Sequence, residues 1–497
     1  MSDTSAPPGG QEREQRKAKV ARLRELGVVP YAYRFQRTHS TAEAAAQEAD
    51  LVAGGSAIAL AGRVMALRGH GHTAFGHIKD YGGKLQFYIR DDEVSAREFE
   101  VFKLVDIGDI IGVSGVLFRT KTGELTLRVS SMELLSKAIN PLPEKWHGLQ
   151  DKELRYRRRY IDLIVNEDVY RTFLMRSRIV ERVRRFLLER RFVEVETPVL
   201  QPLYGGALAR PFVTHHNTLD VDLYLRIADE LYLKRLIVGG IERVFEFSKD
   251  FRNEGMDRSH NPEFTMLECY AAFWDYTDMM GFVEELFTTL AREILGSTTV
   301  SYGDSRIDMT APWRRLKYFD ALAEAAGEDV RGADAAKLKE IARSRGLDIE
   351  GAESRGDFLD LLFSELIEPG LIQPTFVMDY PVEISPLAKR HRSDPGVVER
   401  FEPYIAGYEV GNAFSELNDP EDQRERFEMI ARAWNEGARE THPIDEDYIR
   451  ALEYGMPPTG GLGVGIDRLV MLLTNSPSIR DVILFPQMRP EEGREKE

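Results

Sequence analysis

The sequence predicts an α+β protein in which a small N-terminal β-barrel precedes a larger domain with helices flanking an antiparallel sheet. Two observations indicate this class. Short alternating runs broken by glycine turns fill residues 56–137, whereas helical and strand-like patterns mix from Asp151 onward. The chain has 497 residues, of which 43% are hydrophobic, and this is enough for more than one globular domain.

The N-terminal region predicts a tail followed by one helix. Residues 1–12 are rich in Ser, Pro, Gly and Gln, a composition typical of disorder. Gln11–Leu26 is a charged amphipathic stretch that ends at Gly27, shortly before Pro30. We therefore expect residues 1–55 to lie ahead of the barrel.

Residues 56–140 predict an OB-fold barrel. The region holds about five short strands and one short helix near Ser95–Leu104, with turns at residues 82–83 and 121–123. This number of strands fits an OB-type barrel better than a sandwich. The Pro-Leu-Pro run at 141–143 predicts the boundary to a second domain.

Composition and charge exclude several classes of protein. No run of about 20 apolar residues suits a membrane span, and the N-terminus lacks the apolar core of a secretion signal. The single cysteine, Cys269, excludes an internal disulfide framework, and these features favour the cytoplasm. The net charge of −16 indicates that any RNA binds to a local basic footprint. Taken alone, the basic runs Arg13–Arg24 and Arg155–Arg159 would be solvated helix faces.

The segment Arg243–Tyr270, reading RVFEFSKDFRNEGMDRSHNPEFTMLECY, predicts an antiparallel hairpin with a long loop. Arg252 opens the loop and Phe264 follows it. A guanidinium held at a strand end suits a phosphate, and an aromatic face suits a base. The sequence contains neither a P-loop nor a Rossmann G-x-G-x-x-G, so an ATP site here would be of another kind.

Two further patterns lie on either side of this hairpin. Upstream, Tyr170–Arg190 predicts a helix that leads into a strand at Phe192–Val195 and a proline, Pro198. Downstream, Gly460–Arg468 (GGLGVGIDR) predicts a glycine-rich strand that enters an apolar helix. Each pattern is common by itself, and their order along the chain makes them specific.

In that order the three patterns resemble motifs 1, 2 and 3 of the class II aminoacyl-tRNA synthetases. FRNEG followed by HNPEFT is similar to bacterial lysyl-tRNA synthetases, and the likeness runs from about residue 11 to 490. It implies a class II catalytic domain over residues 141–497, with a helical insertion at about 312–372, and an anticodon-binding role for the barrel.

The resemblance implies an enzyme that activates L-lysine with ATP to lysyl-adenylate and transfers the lysyl group to the 3′ end of tRNA(Lys). It also implies a homodimer built through motif 1 and Mg²⁺ as cofactor, about three ions per active site. Two alternatives stay open: an aspartyl- or asparaginyl-type enzyme, and a paralogue that lysylates protein or does not charge tRNA. The first would need a cationic pocket, and the lysylating paralogues lack the N-terminal barrel.

The reaction needs cations between two anions, the substrate carboxylate and the α-phosphate of ATP. Arg252 suits this position because its fork bonds both groups. By resemblance, further residues contact the adenine or the phosphates, namely Glu254, His260, Phe264 and Arg468.

Three glutamates stand in otherwise apolar surroundings: Glu230, Glu268 and Glu416. A buried carboxylate is costly unless it meets a cation, so three in one cleft would select an ammonium group. The competing interpretation pairs them with internal arginines such as Arg226 or Arg235. By resemblance the lysine site also includes Gly206, Tyr270, Asn412 and Phe414, and Cys269 would bring a thiol close to it.

Glu402 and Glu409 are the metal ligands that the resemblance implies. Their spacing of seven residues would point them to opposite sides of one continuous strand, so convergence requires a turn at Pro403 or Gly407. Judged only from their neighbours, both would be exposed acids.

In the barrel, Phe75 and either Gln86 or Phe87 lie on adjacent strands. Aromatic side chains on such a face stack on unpaired bases, and an amide reads base edges. Phe75 and Gln86 match positions that contact the anticodon in lysyl-tRNA synthetases. The competing interpretation is that the ring only packs.

Overall fold

The computed structural model describes residues 10–143, 149–436 and 444–491, and the chain forms two compact units, Met1–Gln150 and Asp151–Glu497. The disorder predicted for residues 1–9 lies outside the described residues, whereas residues 10–12 are helical. Within the described ranges, no helix combines the length and the apolar character that a bilayer span requires.

The first unit is a closed five-stranded barrel with strand order β1-β2-β3-β5-β4, which confirms the predicted OB-type barrel. Its strands are β1 Ile58–His70, β2 Thr73–Asp80, β3 Gly83–Arg90, β4 Ile110–Arg119 and β5 Leu125–Ser136. Its helices are α1 Gly10–Glu25, α2 Thr41–Ala46, α3 Glu48–Gly54 and α4 Ala96–Phe102.

Strand alternation sorts the β3 side chains into a barrel core and an outer face. Leu85, Phe87 and Ile89 are buried in the core, while Gln86 and Tyr88 lie between them on the other face. Phe87 therefore packs inside the barrel, and only Gln86 of the two candidate positions faces outward.

The second unit carries the larger sheet and most of the helices. The helices are α5 Lys152–Arg157, α6 Arg159–Val165, α7 Glu167–Glu189, α8 Glu230–Val238, α9 Tyr276–Leu295, α10 Tyr318–Ala326, α11 Ala335–Ser344, α12 Arg355–Leu366, α13 Pro420–Glu436, α14 Glu446–Glu453, α15 Ile466–Leu473 and α16 Ile479–Val482, with short 3₁₀ turns at Glu368–Gly370 and Val382–Ile384.

Its strands are β6 Val193–Glu194, β7 Leu200–Gln201, β8 Val213–His216, β9 Val221–Leu225, β10 Arg243–Phe251, β11 Glu263–Ala272, β12 Thr299–Tyr302, β13 Ser305–Asp308, β14 Arg314–Lys317, β15 Thr375–Met378, β16 Arg390–His391, β17 Asp394–Val398, β18 Arg400–Ile405, β19 Tyr408–Glu409, β20 Gly411–Ser415 and β21 Thr459–Gly465. The central sheet has nine strands in the order β14-β15-β18-β20-β21-β11-β10-β6, with β19 paired to β18. All its pairings are antiparallel except those of β14 with β15 and β10 with β6.

Apolar side chains cover both faces of the central sheet. One core cluster joins α7, α9 and α15 to the sheet, and a second joins α8, α10, α12 and α14 to it. Neighbouring positions of β11 divide between the two, because Leu267 and Cys269 belong to the first cluster and Tyr270 to the second. The sheet therefore presents one set of β11 side chains to each layer.

Helix signals in the sequence correspond to real ends in this unit. The side chain of Asp275 accepts hydrogen bonds from the first turn of α9, and Gly296 ends that helix with φ +73°. Within residues 312–372, three helices follow a strand, β14, that belongs to the central sheet.

The interpretation of Arg155–Arg159 as a solvated face is wrong at Arg159. That side chain is buried, donates to Asp162 Oδ2 at 2.7 Å, and donates to the Arg480 carbonyl at 2.7 Å. The run Arg13–Arg24 shows the same pattern at Arg16, which is 4% exposed.

Candidate active site

The second unit contains a cavity of about 490 Å³ beside strands β10, β11, β20 and β21. This volume suits a small ligand. All the residues that the sequence analysis assigns to ATP, lysine and metal line it: Gly206, Glu230, Arg252, Glu254, His260, Phe264, Glu268, Tyr270, Glu402, Glu409, Asn412, Phe414, Glu416 and Arg468.

Positive side chains gather where the predicted hairpin opens its loop. Arg252 follows β10 directly, and its guanidinium lies over the ring of Phe264 at 5.1 Å. The Nε atom of Arg252 is buried, and no described residue hydrogen bonds to it. A guanidinium oriented in this way has donors left for an anionic ligand.

Arg468 enters the same region from the first turn of α15. It donates to the Glu409 carbonyl at 2.8 Å and to Glu409 Oε2 at 3.2 Å, and its Nη2 lies 3.4 Å from His260 Nε2. The other ring nitrogen of His260 lies 2.8 Å from Asp257 Oδ2. The loop and the helix thus bring an arginine and a histidine to one wall.

Carboxylates line another part of the cavity, and an internal lysine holds two of them. Lys234 Nζ donates to Glu230 Oε1 at 2.6 Å and to Glu416 Oε2 at 2.7 Å. The competing interpretation named arginines instead. Arg235 in fact pairs with Asp445 at 2.7 Å.

Glu268 has a different partner and different surroundings. Tyr270 donates its hydroxyl to Glu268 Oε2 at 2.9 Å. Burial, followed by the charges of Glu230 and Asp250, raises the pKa of Glu268 well above its ordinary value. This carboxyl consequently has an unmet demand for a positive ligand.

Two glycines of β21 make space for these carboxylates. A Cβ atom at Gly461 would lie 1.8 Å from Glu416 Oε1, and one at Gly463 would lie 2.7 Å from Glu268 Oε1. Neither distance is possible for a real side chain. The glycine-rich strand therefore allows two acids to lie against backbone.

A second group of charged residues adjoins the cavity, and Asp250 of this group lines it. Arg226 is buried and donates to Glu246 Oε1 at 2.7 Å, with Asp250 at 3.4 Å. Burial raises the pKa of Asp250 to about 6, although Arg226 opposes this change. Asp229 is fully buried, and burial followed by the charge of Glu268 raises its pKa well above its ordinary value.

The two glutamates of β18 and β19 converge through a turn. Ala406 and Gly407 both have positive φ, +57° and +77°, and reverse the chain so that Tyr404 faces Glu409 in register. This confirms the predicted need for a turn near Gly407. The interpretation of Glu402 as exposed is wrong, because its side chain is buried.

Glu402 is held by three neighbours. Tyr380 and Tyr404 donate to its Oε2 at 2.6 and 2.7 Å, and Arg400 bonds its Oε1. Arg400 also donates to Asn412 Oδ1 at 3.0 Å. Arg400 therefore links the acid pair to the wall that carries Asn412.

The barrel has an aromatic strip on its outer face. Phe75 is 38% exposed, and its ring lies 4.6 Å from that of Tyr88, which in turn lies 6.3 Å from Phe118. Beside the strip, Gln86 donates to Glu124 at 2.8 Å. This arrangement has an apolar platform with an amide next to it.

Comparison with known proteins identifies the family. Residues 151–489 match the tRNA synthetases class II (D, K and N), and residues 58–135 match the OB-fold nucleic acid binding domain. The chain belongs to the class II tRNA synthetases. The D, K and N group contains the lysyl-type resemblance seen in the sequence and both of its rivals within the class.

Individual relatives of this synthetase cover nearly its whole length. The protein of Carboxydothermus hydrogenoformans is 53% identical over 95% of this chain and 97% of its own. That of Moorella thermoacetica is also 53% identical, over the same shares. That of Bacillus subtilis is 50% identical over 95% of this chain and 96% of its own. All three carry the name lysine–tRNA ligase.

The thiol of this synthetase does not lie in the cavity. Cys269 alternates with Glu268 and Tyr270 along β11 and packs with Phe245 and Leu462 in the first core cluster. Burial raises the pKa of Cys269 well above its ordinary value. The prediction that Cys269 lies close to the lysine pocket is therefore wrong. Side chains alternate between the two faces of a strand, so the position next to Glu268 already indicated the opposite face.

Sequence reasoning also missed two basic residues that hold the acids of the cavity in this synthetase. Lys234 is one helical turn after Glu230, a spacing that places both on one face of α8. Arg400 is two residues before Glu402 on the same strand and so shares its face. In both cases the spacing was visible, but the partner from a distant segment was not.

Proposed function

We propose that this synthetase joins L-lysine to the 3′ end of tRNA(Lys) at the expense of ATP, with lysyl-adenylate as intermediate. The observation that carries the proposal is the cavity in which Glu230, Glu268 and Glu416 lie together with Arg252. Acids at one place and an arginine at another suit an amino acid with a second ammonium group. The near full-length relatives named lysine–tRNA ligase support the same substrate.

The first step forms an oxygen–phosphorus bond. An oxygen of the lysine carboxylate attacks the α-phosphorus of ATP, the bond to the β-phosphate oxygen breaks, and pyrophosphate leaves. Arg252 is suited to bridge the two anions because it lies at the start of the loop and its buried Nε has no hydrogen-bond partner among the described residues. Its contacts strengthen as negative charge accumulates in the transition state.

The second step consumes the mixed anhydride. A ribose hydroxyl of the terminal adenosine attacks the carbonyl carbon, the carbon–oxygen bond to phosphate breaks, and AMP leaves with the electron pair. The hydroxyl proton goes to an acceptor on the departing phosphate or in solvent. The protein's part in this step is to hold the adenylate in place.

ATP recognition falls to residues of the hairpin and α15 in this proposal. Phe264 stacks on the adenine, a contact of roughly 1–3 kcal/mol. Glu254 receives the adenine amine, and His260 and Arg468 receive the phosphate tail. Support comes from the position of all four on the cavity wall.

Lysine recognition uses the acidic wall. Glu230, Glu268 and Glu416 meet the two ammonium groups, with Tyr270 orienting Glu268. Asn412 and Phe414 complete the wall, and Gly206 brings its backbone close. At Gly206, φ is +87° and a Cβ atom would lie 3.0 Å from Ala228 Cβ, so glycine suits this approach.

Glu402 and Glu409 would hold Mg²⁺, about three ions per site in the full proposal, through oxygen ligands shared with the phosphates of ATP. The residues fit a cation: burial, followed by the charge of Glu402, raises the pKa of Glu409, and a positive ion between them relieves both effects. Among the described residues no group of three or more His, Cys, Asp or Glu could hold an ion, so substrate oxygens have to complete the shell. When bound, Mg²⁺ offsets phosphate charge.

The proposal extends to organisation. Residues 56–140 bind the anticodon through Phe75 and Gln86, residues 141–497 form the catalytic domain with its insertion at 312–372, and residues 1–55 precede both. The protein acts in the cytoplasm as a homodimer through motif 1. Support for the dimer comes from apolar side chains that are about half exposed around motif 1: Leu174, Leu188, Val193, Val199 and Leu200.

A pyrophosphate-exchange assay across the standard amino acids, with and without tRNA, tests the proposal. We expect exchange with lysine alone and no requirement for tRNA. Exchange with aspartate or asparagine would support the rival specificities of the family. Lysine-dependent exchange without tRNA charging would support a paralogue with another acceptor.

A further inference from the structure

Lys234 does not itself line the cavity, but its ammonium group bonds two carboxylates of the wall that the substrate ammonium is proposed to meet. It lies on α8 one turn after Glu230, and its side chain is fully buried. Its Nζ bonds Glu230 at 2.6 Å and Glu416 at 2.7 Å, although 182 residues separate it from Glu416. Lys234 thus joins α8 to Glu416, the residue that directly follows β20.

The surroundings keep this lysine charged. Burial lowers the pKa of Lys234, but the charges of Glu230 and Glu416 outweigh burial and raise the pKa well above its ordinary value. The rings of Phe414 and Tyr448 flank Nζ at 5.8 and 5.5 Å. The ammonium is therefore enclosed by acids and aromatic faces.

Each carboxylate gives one oxygen to Lys234 and keeps the other. Glu416 Oε1 is buried and has no hydrogen-bond partner among the described residues, although its residue lines the cavity. Gly461 leaves the space in which this oxygen lies. The free oxygen is thus held at a fixed place and has an unmet need for a donor.

We propose that Lys234 is a positioning residue that sets the specificity of the amino-acid pocket. It fixes the geometry of Glu230 and Glu416 before substrate enters, and it removes one negative charge from the three-carboxylate wall. This inference rests on the proposed lysine specificity.

The number of charges in the pocket explains why an enzyme for a cationic substrate also buries the cationic side chain of Lys234. With Lys234 present, Glu230, Glu268 and Glu416 carry two uncompensated negative charges when all are ionised. Lysine supplies two ammonium groups, and Arg252 faces its carboxylate. Without Lys234 one carboxylate would be left over, and Glu230 and Glu416 would repel each other.

The test uses the full-length enzyme and lysine-dependent pyrophosphate exchange. Lys234→Met keeps the apolar stem and removes the charge, and Lys234→Arg keeps the charge. We expect Lys234→Met to raise the KM for lysine by about tenfold or more while the KM for ATP changes by less than about twofold. Lys234→Arg should recover part of the lysine affinity.

The matched control is Arg235→Met. Arg235 follows Lys234 on α8 and also forms an ion pair, but with Asp445, which like Arg235 itself does not line the cavity. This variant loses a comparable interaction of the same helix. Its KM for lysine should stay at the wild-type value.

A double-mutant cycle separates charge matching from simple packing. Glu230→Gln should weaken lysine binding in the wild type. In the Lys234→Met background, Glu230→Gln removes the negative charge that the loss of Lys234 leaves uncompensated. It also supplies an amide donor for Glu416. We therefore expect its effect on the lysine KM to be about fivefold smaller there, or reversed.

Several outcomes would overturn the inference. One is an unchanged lysine KM in Lys234→Met, and another is equal effects on the KM for lysine and for ATP. Independent effects in the double-mutant cycle count in the same direction. If Lys234→Met and Lys234→Gln both fail to fold while Lys234→Arg folds, Lys234 is a structural ion-pair residue. A wild-type enzyme without lysine-dependent exchange would instead refute the proposed function.

Discussion

Tyr270 donates its hydroxyl to Glu268 Oε2 at 2.9 Å, two residues back on the same face of β11. Even with this bond, burial and the neighbouring carboxylates keep the pKa of Glu268 well above its ordinary value. The empty pocket therefore favours the neutral form of Glu268 more than water does. An ammonium ligand favours the ionised form.

Lysine binding should release the proton of Glu268. The sign follows from the raised pKa of Glu268: over the pH range in which the free enzyme holds this proton and the complex does not, lysine affinity increases as the pH rises. Calorimetry in buffers with different ionisation enthalpies measures the release. Glu268→Gln should abolish it, raise the KM for lysine and leave that for ATP. If the KM for ATP rises instead, Glu268 belongs to the nucleotide site.

Gly461→Ala should damage the lysine pocket specifically. The new Cβ would lie 1.8 Å from Glu416 Oε1 and 2.6 Å from the Tyr270 ring, so Glu416 has to move. We expect a higher KM for lysine and a loss of about 1–3 kcal/mol of stability from overpacking. Gly281→Ala on α9 is the control and should be neutral or stabilising, because no described atom beyond the neighbouring helix backbone lies within 4 Å of the added Cβ. Unchanged kinetics in Gly461→Ala would contradict the assigned position of Glu416.

Arg252→Ala should lose transition-state stabilisation. The expected loss is at least the roughly 2.7–4 kcal/mol of one missing oxyanion donor, because this side chain is proposed to bond two anions. Arg252→Lys should recover little, since the planar fork is absent. Exchange by the folded Ala variant within about threefold of wild type would remove Arg252 from this role.

Phe75→Ala should separate activation from charging. Loss of one stacked base weakens tRNA binding by about 1–3 kcal/mol. Lysine-dependent exchange needs no tRNA and should stay near wild type, while charging at limiting tRNA falls through KM. Changing the anticodon of the tRNA should reduce charging by the variant less than it reduces charging by the wild type. Equal losses in exchange and charging would mean that the ring only packs against Tyr88.

The motif 1 region, residues 170–198, should form a two-fold interface on which activity depends. Val193→Glu places a charge on an apolar side chain that is 49% exposed in the single chain. We expect dissociation and loss of exchange without loss of folding. Val52→Glu in α3, at a 38% exposed valine outside motif 1, serves as the control. A fully active monomer in sedimentation at nanomolar concentration would refute the dimer.

Local sequence patterns predicted the hairpin and the turn that carry the site residues better than the bonds between their side chains. The hairpin of Arg252 and the turn between Glu402 and Glu409 follow from alternation and glycine, which act over a few residues. The bond between Lys234 and Glu416 joins segments that only the folded sheet brings together. A single sequence carries no signal for such a contact.

Because Cys269 is buried, the folded protein has no thiol that a reagent can reach. The chain has no other cysteine, and this side chain is 0% exposed within a packed core. A maleimide added to the folded enzyme should therefore find no reactive partner. Tyr33 is 99% exposed, so a cysteine introduced there would be the only site that a thiol-reactive dye labels. A fluorescent reporter for tRNA binding could therefore be made without first removing Cys269.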